Sequence, residues 1–162
     1  IIDRAIKYLY NNNINTEIIA GGETAGIPYA SLIAHKQKKS MIYIRKKPKG
    51  FGINKQIEGE YKKDQTALLV EDLATDGGSK IIFINALREA GLKVKDIFVI
   101  FYYNIFNFEN SDLHKLNVNI HSLCTWKDII NYIESNKIYS NDDILNLKQF
   151  LSDPESWRKK NG

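Results

Sequence analysis

Along this chain, short continuous apolar runs alternate with stretches in which apolar residues recur at helical spacing. Residues 17–20, 41–44 and 67–70 are short enough to be strands, and 97–103 is the unbroken apolar run expected of a parallel strand covered on both faces. Residues 119–123 predict a fifth strand. Between the runs, residues 25–35 are small, apolar and compatible with a helix. Ile81, Ile82, Ile84, Leu87 and Ala90 keep helical spacing until Gly91 supplies a stop. Thr125 is placed to cap a helix through residues 128–130, residues 140–151 open on a capping pattern, and Asp153-Pro154 predicts the start of a last short helix. Residues 45–60 follow neither period and hold Pro48, Gly50, Gly52 and Gly59, so they read as one long loop, of the kind that is usually a functional lid or disordered.

Strands alternating with helices predict an α/β domain with a mainly parallel, five-stranded sheet flanked by helices. Ligands of such sheets bind beyond the carboxyl ends of the strands, which points to residues 21–26, 45–58 and 71–79. No repeat or linker interrupts the pattern. With 162 residues, 43% of them hydrophobic, the chain can bury one substantial core and is too short for two comfortable domains, so residues 1–162 read as a single domain.

Charge adds a modest constraint. A net charge of +4 suits a phosphate-bearing ligand, but the Lys and Arg residues are spread out, with no basic tail or basic helix, so nucleic acid is not the expected partner. Cys124 is the only cysteine, which excludes an intramolecular disulfide and a thiolate-rich metal site and fits a reducing cytosol; its simplest role is a small buried apolar residue. No apolar run approaches the roughly 20 residues needed to cross a bilayer and no signal segment opens the chain, so a cytoplasmic protein without a membrane partner is expected. His35, His114 and His121 have no metal-ligand spacing. Trp126 and Trp157 read as core or interface anchors rather than base-stacking platforms.

The chemistry concentrates in residues 67–80, ALLVEDLATDGGSK. An apolar strand runs into Glu71 and Asp72, then into Leu73, Ala74, Thr75, Asp76, Gly77, Gly78 and Ser79 at the mouth of the next helix. Hydroxyls and unobstructed backbone N–H groups at a helix start favour an anion such as a phosphate monoester. The spacing is not that of a Walker loop. Adjacent acids on an extended chain point to opposite sides, so the pair is unsuited to chelating one metal side by side. The two could instead bracket a polyhydroxyl group, one accepting from sugar hydroxyls and the other holding the loop or a hydrated cation. The plainer alternative is an Asp capping a βα turn, with glycines for a tight bend.

The whole string strongly resembles the phosphoribosyl pyrophosphate (PRPP) motif of type I phosphoribosyltransferases. In that family the acids engage the ribose hydroxyls and the Gly-rich loop binds the 5-phosphate. Residues 20–34, AGGETAGIPYASLIA, resemble the first loop and helix of the orotate phosphoribosyltransferases, and residues 43–61, YIRKKPKGFGINKQIEGEY, resemble their flexible catalytic loop. The likeness extends through residues 97–106 and 113–130 to a bacterial branch of that enzyme and covers nearly the whole chain.

The resemblance implies transfer of a phosphoribosyl group from PRPP to orotate, giving orotidine monophosphate and pyrophosphate, in pyrimidine nucleotide biosynthesis. It implies Arg45, Lys46 and Lys49 at the pyrophosphate, with Lys49 reaching a neighbouring subunit's site in a homodimer. Gly22, Glu23 and Thr24 would form the pyrophosphate loop, though Thr24 is equally placed to cap the helix ahead of Ala25. Lys46, Lys49 and Asp72 become the catalytic candidates and Thr75 an orotate contact. Mg2+ would arrive on PRPP, keeping several waters and needing no direct protein ligand. The loop chemistry is sound on its own terms, since a departing pyrophosphate needs cations and exclusion of water, and Gly50 and Gly52 would let the segment move as a lid. Lys47 alone could equally be a solvated charge.

Departures from the family are also visible. Phe51 stands where many relatives carry a loop histidine, Tyr102-Tyr103-Asn104 where many carry an Asp-Arg pair that grips the orotate carboxylate, and Ala25 where a first-loop lysine is common. The bacterial branch shares these differences. The N-terminal hood usual in the family is expected to be missing ahead of Ile1. A shortened PRPP-binding protein without orotate activity, or a transferase for another base, is therefore the alternative.

Overall fold

A computed structural model describes residues 1–48, 56–75, 78–105, 112–153, 156, 157 and 159. Its elements run α1 (Ile2–Asn11), β1 (Ile18–Gly22), α2 (Gly26–Gln37), β2 (Ser40–Ile44), β3 (Ile57–Glu58), β4 (Thr66–Ala74), α3 (Gly78–Glu89), β5 (Lys93–Tyr102), α4 (Asp112–Lys115), β6 (Asn119–Thr125), α5 (Trp126–Ser135) and α6 (Asn141–Ser152). The six strands form one sheet in the order β3-β2-β1-β4-β5-β6.

The five predicted strands are the five parallel ones, joined in the pairs β1–β2, β1–β4, β4–β5 and β5–β6. The sixth corrects the expectation of five. Within the stretch predicted to be loop, Ile57–Glu58 pairs antiparallel with β2, Ile44 opposite Ile57 and Tyr43 opposite Glu58. A two-residue strand carries no periodicity of its own, so only its partner reveals it.

Side chains alternate between two faces along each strand, as the pleat requires. On one face Ile19, Leu68, Val70 and Phe98 pack against Ala5 and Leu9 of α1 and Ala30, Ile33 and Ala34 of α2. On the other, Ile18, Ala20, Leu69, Ile97 and Val99 pack against Phe83, Ile84 and Leu87 of α3. Consecutive crossovers thus lie on opposite faces, α2 following β1 and α3 following β4. Because β1 and β4 are neighbours, their carboxyl ends bound a crevice where the chain order reverses, the usual ligand position in an open α/β sheet.

The helix starts obey local chemistry. Thr125 caps α5 through a capping box in which its Oγ1 accepts from the Asp128 N–H and Asp128 Oδ2 accepts from the Thr125 N–H at 2.7 Å. Ser140 Oγ accepts from the Asp143 N–H at 3.1 Å and opens α6, and the Asp153 carboxylate accepts from the Ser156 N–H at 3.0 Å. Trp157 stacks edge-on to Phe150 and donates to Asn146 Oδ1 at 2.7 Å. Cys124 differs from expectation: near the end of the edge strand β6 it is half-buried rather than buried. Among the described residues, no helix is long and apolar enough to cross a membrane.

Candidate active site

β4 does not stop at the acids. Its ladder with β5 continues through Glu71 opposite Val99, Leu73 opposite Phe101 and Ala74 opposite Tyr102, and the Tyr103 N–H still donates to the Ala74 carbonyl at 2.9 Å. The acids therefore lie inside the strand rather than at the start of a loop. β1 ends at Gly22, so beyond Val70 the β4 backbone has a strand partner on the β5 side only. This one-sided end forms the floor of the crevice.

Strand alternation splits the two acids. Glu71 turns towards α3 and is buried, 4% exposed, whereas Asp72 faces the other way and is half-buried. Glu71 Oε2 lies 3.5 Å from Lys80 Nζ, itself buried in the first turn of α3, and the same ammonium donates to Ser79 Oγ at 3.2 Å. Glu71 Oε1 is buried and has no hydrogen-bond partner among the described residues. Burial pushes the Glu71 carboxyl up to about 7 against the opposing pull of Lys80, with Asp72 adding to the rise.

Glycines at the two ends of the first loop leave room for that carboxylate. A Cβ on Gly22 would stand 1.6 Å from Glu71 Oε1 and 2.6 Å from Phe83, and a Cβ on Gly26 would stand 2.4 Å from the Val70 carbonyl oxygen and 2.9 Å from Glu71 Oε1. Close approach of the loop to the acid requires glycine at both positions. The Glu23–Thr24 peptide is cis. Thr24 is exposed and does not cap α2: Ala25 is the N-cap residue, with no side-chain cap hydrogen bond.

The basic segment meets the first loop at the end of β2. The Glu23 N–H donates to the Ile44 carbonyl at 2.9 Å, and the Lys46 N–H donates to Glu23 Oε2 at 2.8 Å. Arg45 lies between two acids, 3.5 Å from Glu58 and 4.0 Å from Glu23, and its guanidinium sits 5.4 Å from the Tyr43 ring centroid. Reciprocal hydrogen bonds of 2.8 Å close the base of the excursion, from the Arg45 N–H to the Gln56 carbonyl and from Gln56 Nε2 to the Arg45 carbonyl. Lys46 and Lys47 are exposed at this base. Lys49, Gly50, Phe51 and Gly52, like Asp76 and Gly77 of the turn, lie outside the described residues.

Of the remaining turn residues, Leu73 is exposed, Ala74 is buried, Thr75 and Ser79 are half-buried, and Gly78 is exposed at the start of α3. The sheet thus brings Gly22–Thr24, Arg45–Lys46, Asp72–Thr75 and Gly78–Ser79 to one edge, with a helix amino end behind them. Tyr103 extends this edge, its ring packed at 5.4 Å from Phe101 and 5.9 Å from Trp126. Among the described residues, no group of three or more His, Cys, Asp or Glu side chains could hold a metal ion. Sequence reasoning missed Lys80. A signal existed, because residues 80, 83, 84 and 87 share one helical face and a lysine there occupies a core position.

No family model matches the chain. Orotate phosphoribosyltransferase of Ruegeria sp. (strain TM1040) is 46% identical over 143 residues, covering 88% of this chain and 63% of the relative. The enzyme of the same name from Roseobacter denitrificans is 45% identical over 143 residues, covering 88% of this chain and 64% of the relative. The crystal structure of orotate phosphoribosyltransferase from Aeropyrum pernix matches with a TM-score of 0.70 at 25% identity, over 86% of this chain and 75% of that one. The chain spans less than two thirds of the length of these curated relatives. Over that span the chain is similar in sequence to the orotate phosphoribosyltransferases of both organisms, and it is similar in fold to the solved enzyme.

Proposed function

We propose that the chain transfers the phosphoribosyl group of PRPP to orotate, forming orotidine monophosphate and pyrophosphate. The observation that carries the reading is the meeting of three anion-suited segments at one sheet edge: the Gly22–Thr24 loop, the Arg45–Lys46 arm bonded to it through Glu23, and the turn from Asp72 into α3. A ligand with a phosphate at each end would engage all three. The α3 amino end, with Thr75 and Ser79, takes the 5-phosphate. Asp72, the more accessible acid, accepts from the ribose hydroxyls. Arg45 and Lys46, together with Lys49, hold the pyrophosphate, Arg45 exchanging its present acidic partners for phosphate oxygens.

In the transfer, the bond from the anomeric carbon to pyrophosphate breaks, and the electron pair leaves with pyrophosphate. Positive charge grows on the ribose until a ring nitrogen of orotate, having given up its proton, closes the new bond. The fixed cations stabilise the departing charge more than they stabilise the ground state, which is where they lower the barrier. In this reading Thr75 contacts the incoming orotate. Mg2+ would arrive on PRPP and keep several waters, through which the Asp72 carboxylate could hold it, and it would supply neutralisation of the pyrophosphate charge. On this reading the chain works in pyrimidine nucleotide biosynthesis in the cytoplasm, as a homodimer in which Lys49 serves the neighbouring site.

The test is loss of orotate absorbance when the chain is added to orotate and Mg-PRPP, with Asp72→Asn as the blank. Loss that falls at least about a hundredfold in the variant supports the reading. Calorimetric binding of Mg-PRPP without orotate loss would instead leave a PRPP-binding core lacking the transfer.

A further inference from the structure

A buried lysine needs a reason. Lys80 occupies a core-facing position on α3 in line with Phe83, Ile84 and Leu87, all buried, and an apolar residue there would avoid the cost of desolvating a charge. Its ammonium instead reaches two groups, Ser79 Oγ at 3.2 Å and Glu71 Oε2 at 3.5 Å. The other carboxylate oxygen of Glu71 fills the slot that Gly22 and Gly26 leave open. One continuous set of contacts therefore runs from the first turn of α3, through the buried ion pair, to the loop after β1. These are the two segments assigned above to opposite ends of PRPP.

We propose that Lys80 is a positioning residue that, through Glu71 and Ser79, fixes the distance between the ribose-phosphate turn and the pyrophosphate loop. Glu71 then belongs to this internal strut, and Asp72 alone of the acidic pair faces the sugar. A ligand gripped by both loops depends on their spacing; a ligand gripped by the turn alone does not. The inference rests on the reading of the sheet edge as a PRPP site.

The test is calorimetric titration of the chain with Mg-PRPP and, separately, with orotidine monophosphate, which has a ribose phosphate and no pyrophosphate. Lys80→Met is expected to weaken Mg-PRPP about tenfold or more and orotidine monophosphate less than about threefold, while Lys80→Arg recovers most of the loss. Lys80→Met leaves a buried carboxylate without its cation, so the double variant Glu71→Gln/Lys80→Met guards against simple misfolding by replacing the pair with neutral groups. The double variant is expected to unfold cooperatively and still bind Mg-PRPP weakly. Parental Mg-PRPP affinity in the double variant, or equal losses for both ligands, overturns the proposal while leaving the PRPP site intact. A parent chain that binds no Mg-PRPP overturns the site assignment and this inference together.

Discussion

The two faces of the sheet are built by the same alternation, yet among the described residues only the α3 face buries charge fully. Towards α1 and α2, Ile19, Leu68, Val70 and Phe98 meet apolar helix residues. Towards α3 the pattern begins in the same way, with Ala67 and Leu69 on β4 and Phe83, Ile84 and Leu87 on the helix. Continued towards the carboxyl edge, both series reach the next inward position and place Glu71 and Lys80 there. The α1–α2 face therefore behaves as packing, whereas the α3 face is packing at its centre and machinery at its edge. A buried ion pair adds little net stability relative to well-packed apolar groups. Its place at the crevice is better explained by what it positions.

The largest effects should come from cutting each face at its centre. Phe98→Ala and Phe83→Ala should each cost about 3–5 kcal/mol in urea unfolding, since both rings are fully buried. They should part in function: Phe83 lies against the Gly22 loop, so under conditions where both variants remain folded only Phe83→Ala should weaken Mg-PRPP binding. Equal affinities would erase the contrast between the faces.

The charged edge should also give the protein an unusual pH response. The Glu71 carboxyl, raised by burial to about 7, binds its proton more tightly folded than unfolded. Its contribution to stability is fully present below about 4.5 and is lost as pH rises through about 7, an effect on the order of 3 kcal/mol. Urea midpoints at pH 5 and pH 8 should show this fall in the parent and a smaller one in Glu71→Gln/Lys80→Met. An identical fall in both would place the titration elsewhere.

Smaller changes sharpen the picture. Gly26→Ala sets a methyl against the Val70 carbonyl oxygen, 2.4 Å from its ideal position, and should cost about 1–3 kcal/mol with a matching loss of Mg-PRPP affinity. Thr125→Ala removes the capping box of α5, two strands over from Glu71, and should lower stability by about 1 kcal/mol without changing ligand affinity.

Much of this frame is legible in the sequence because its signals are local. The apolar runs mark all five parallel strands, Thr125 and Ser140 mark helix starts, and the Gly-rich string after Asp72 marks the turn. What escapes depends on partners distant in sequence. β3 exists only against β2. β4 extends through the acids because β5 supplies a ladder beyond Val70. Arg45 finds Glu23 and Glu58 across separate segments, and their sequence positions give no hint of the contact. The inward turn of Glu71 follows from pleat parity, but its lysine partner is apparent only when the α3 face is read as a core face with one charged member.

The central claim is that this edge transfers phosphoribosyl to orotate, and pyrophosphate release tests it most directly. With Mg-PRPP, the chain should release pyrophosphate only when orotate is present, one equivalent for each orotidine monophosphate formed. Release at the same rate with adenine, or with no base at all, would contradict the account.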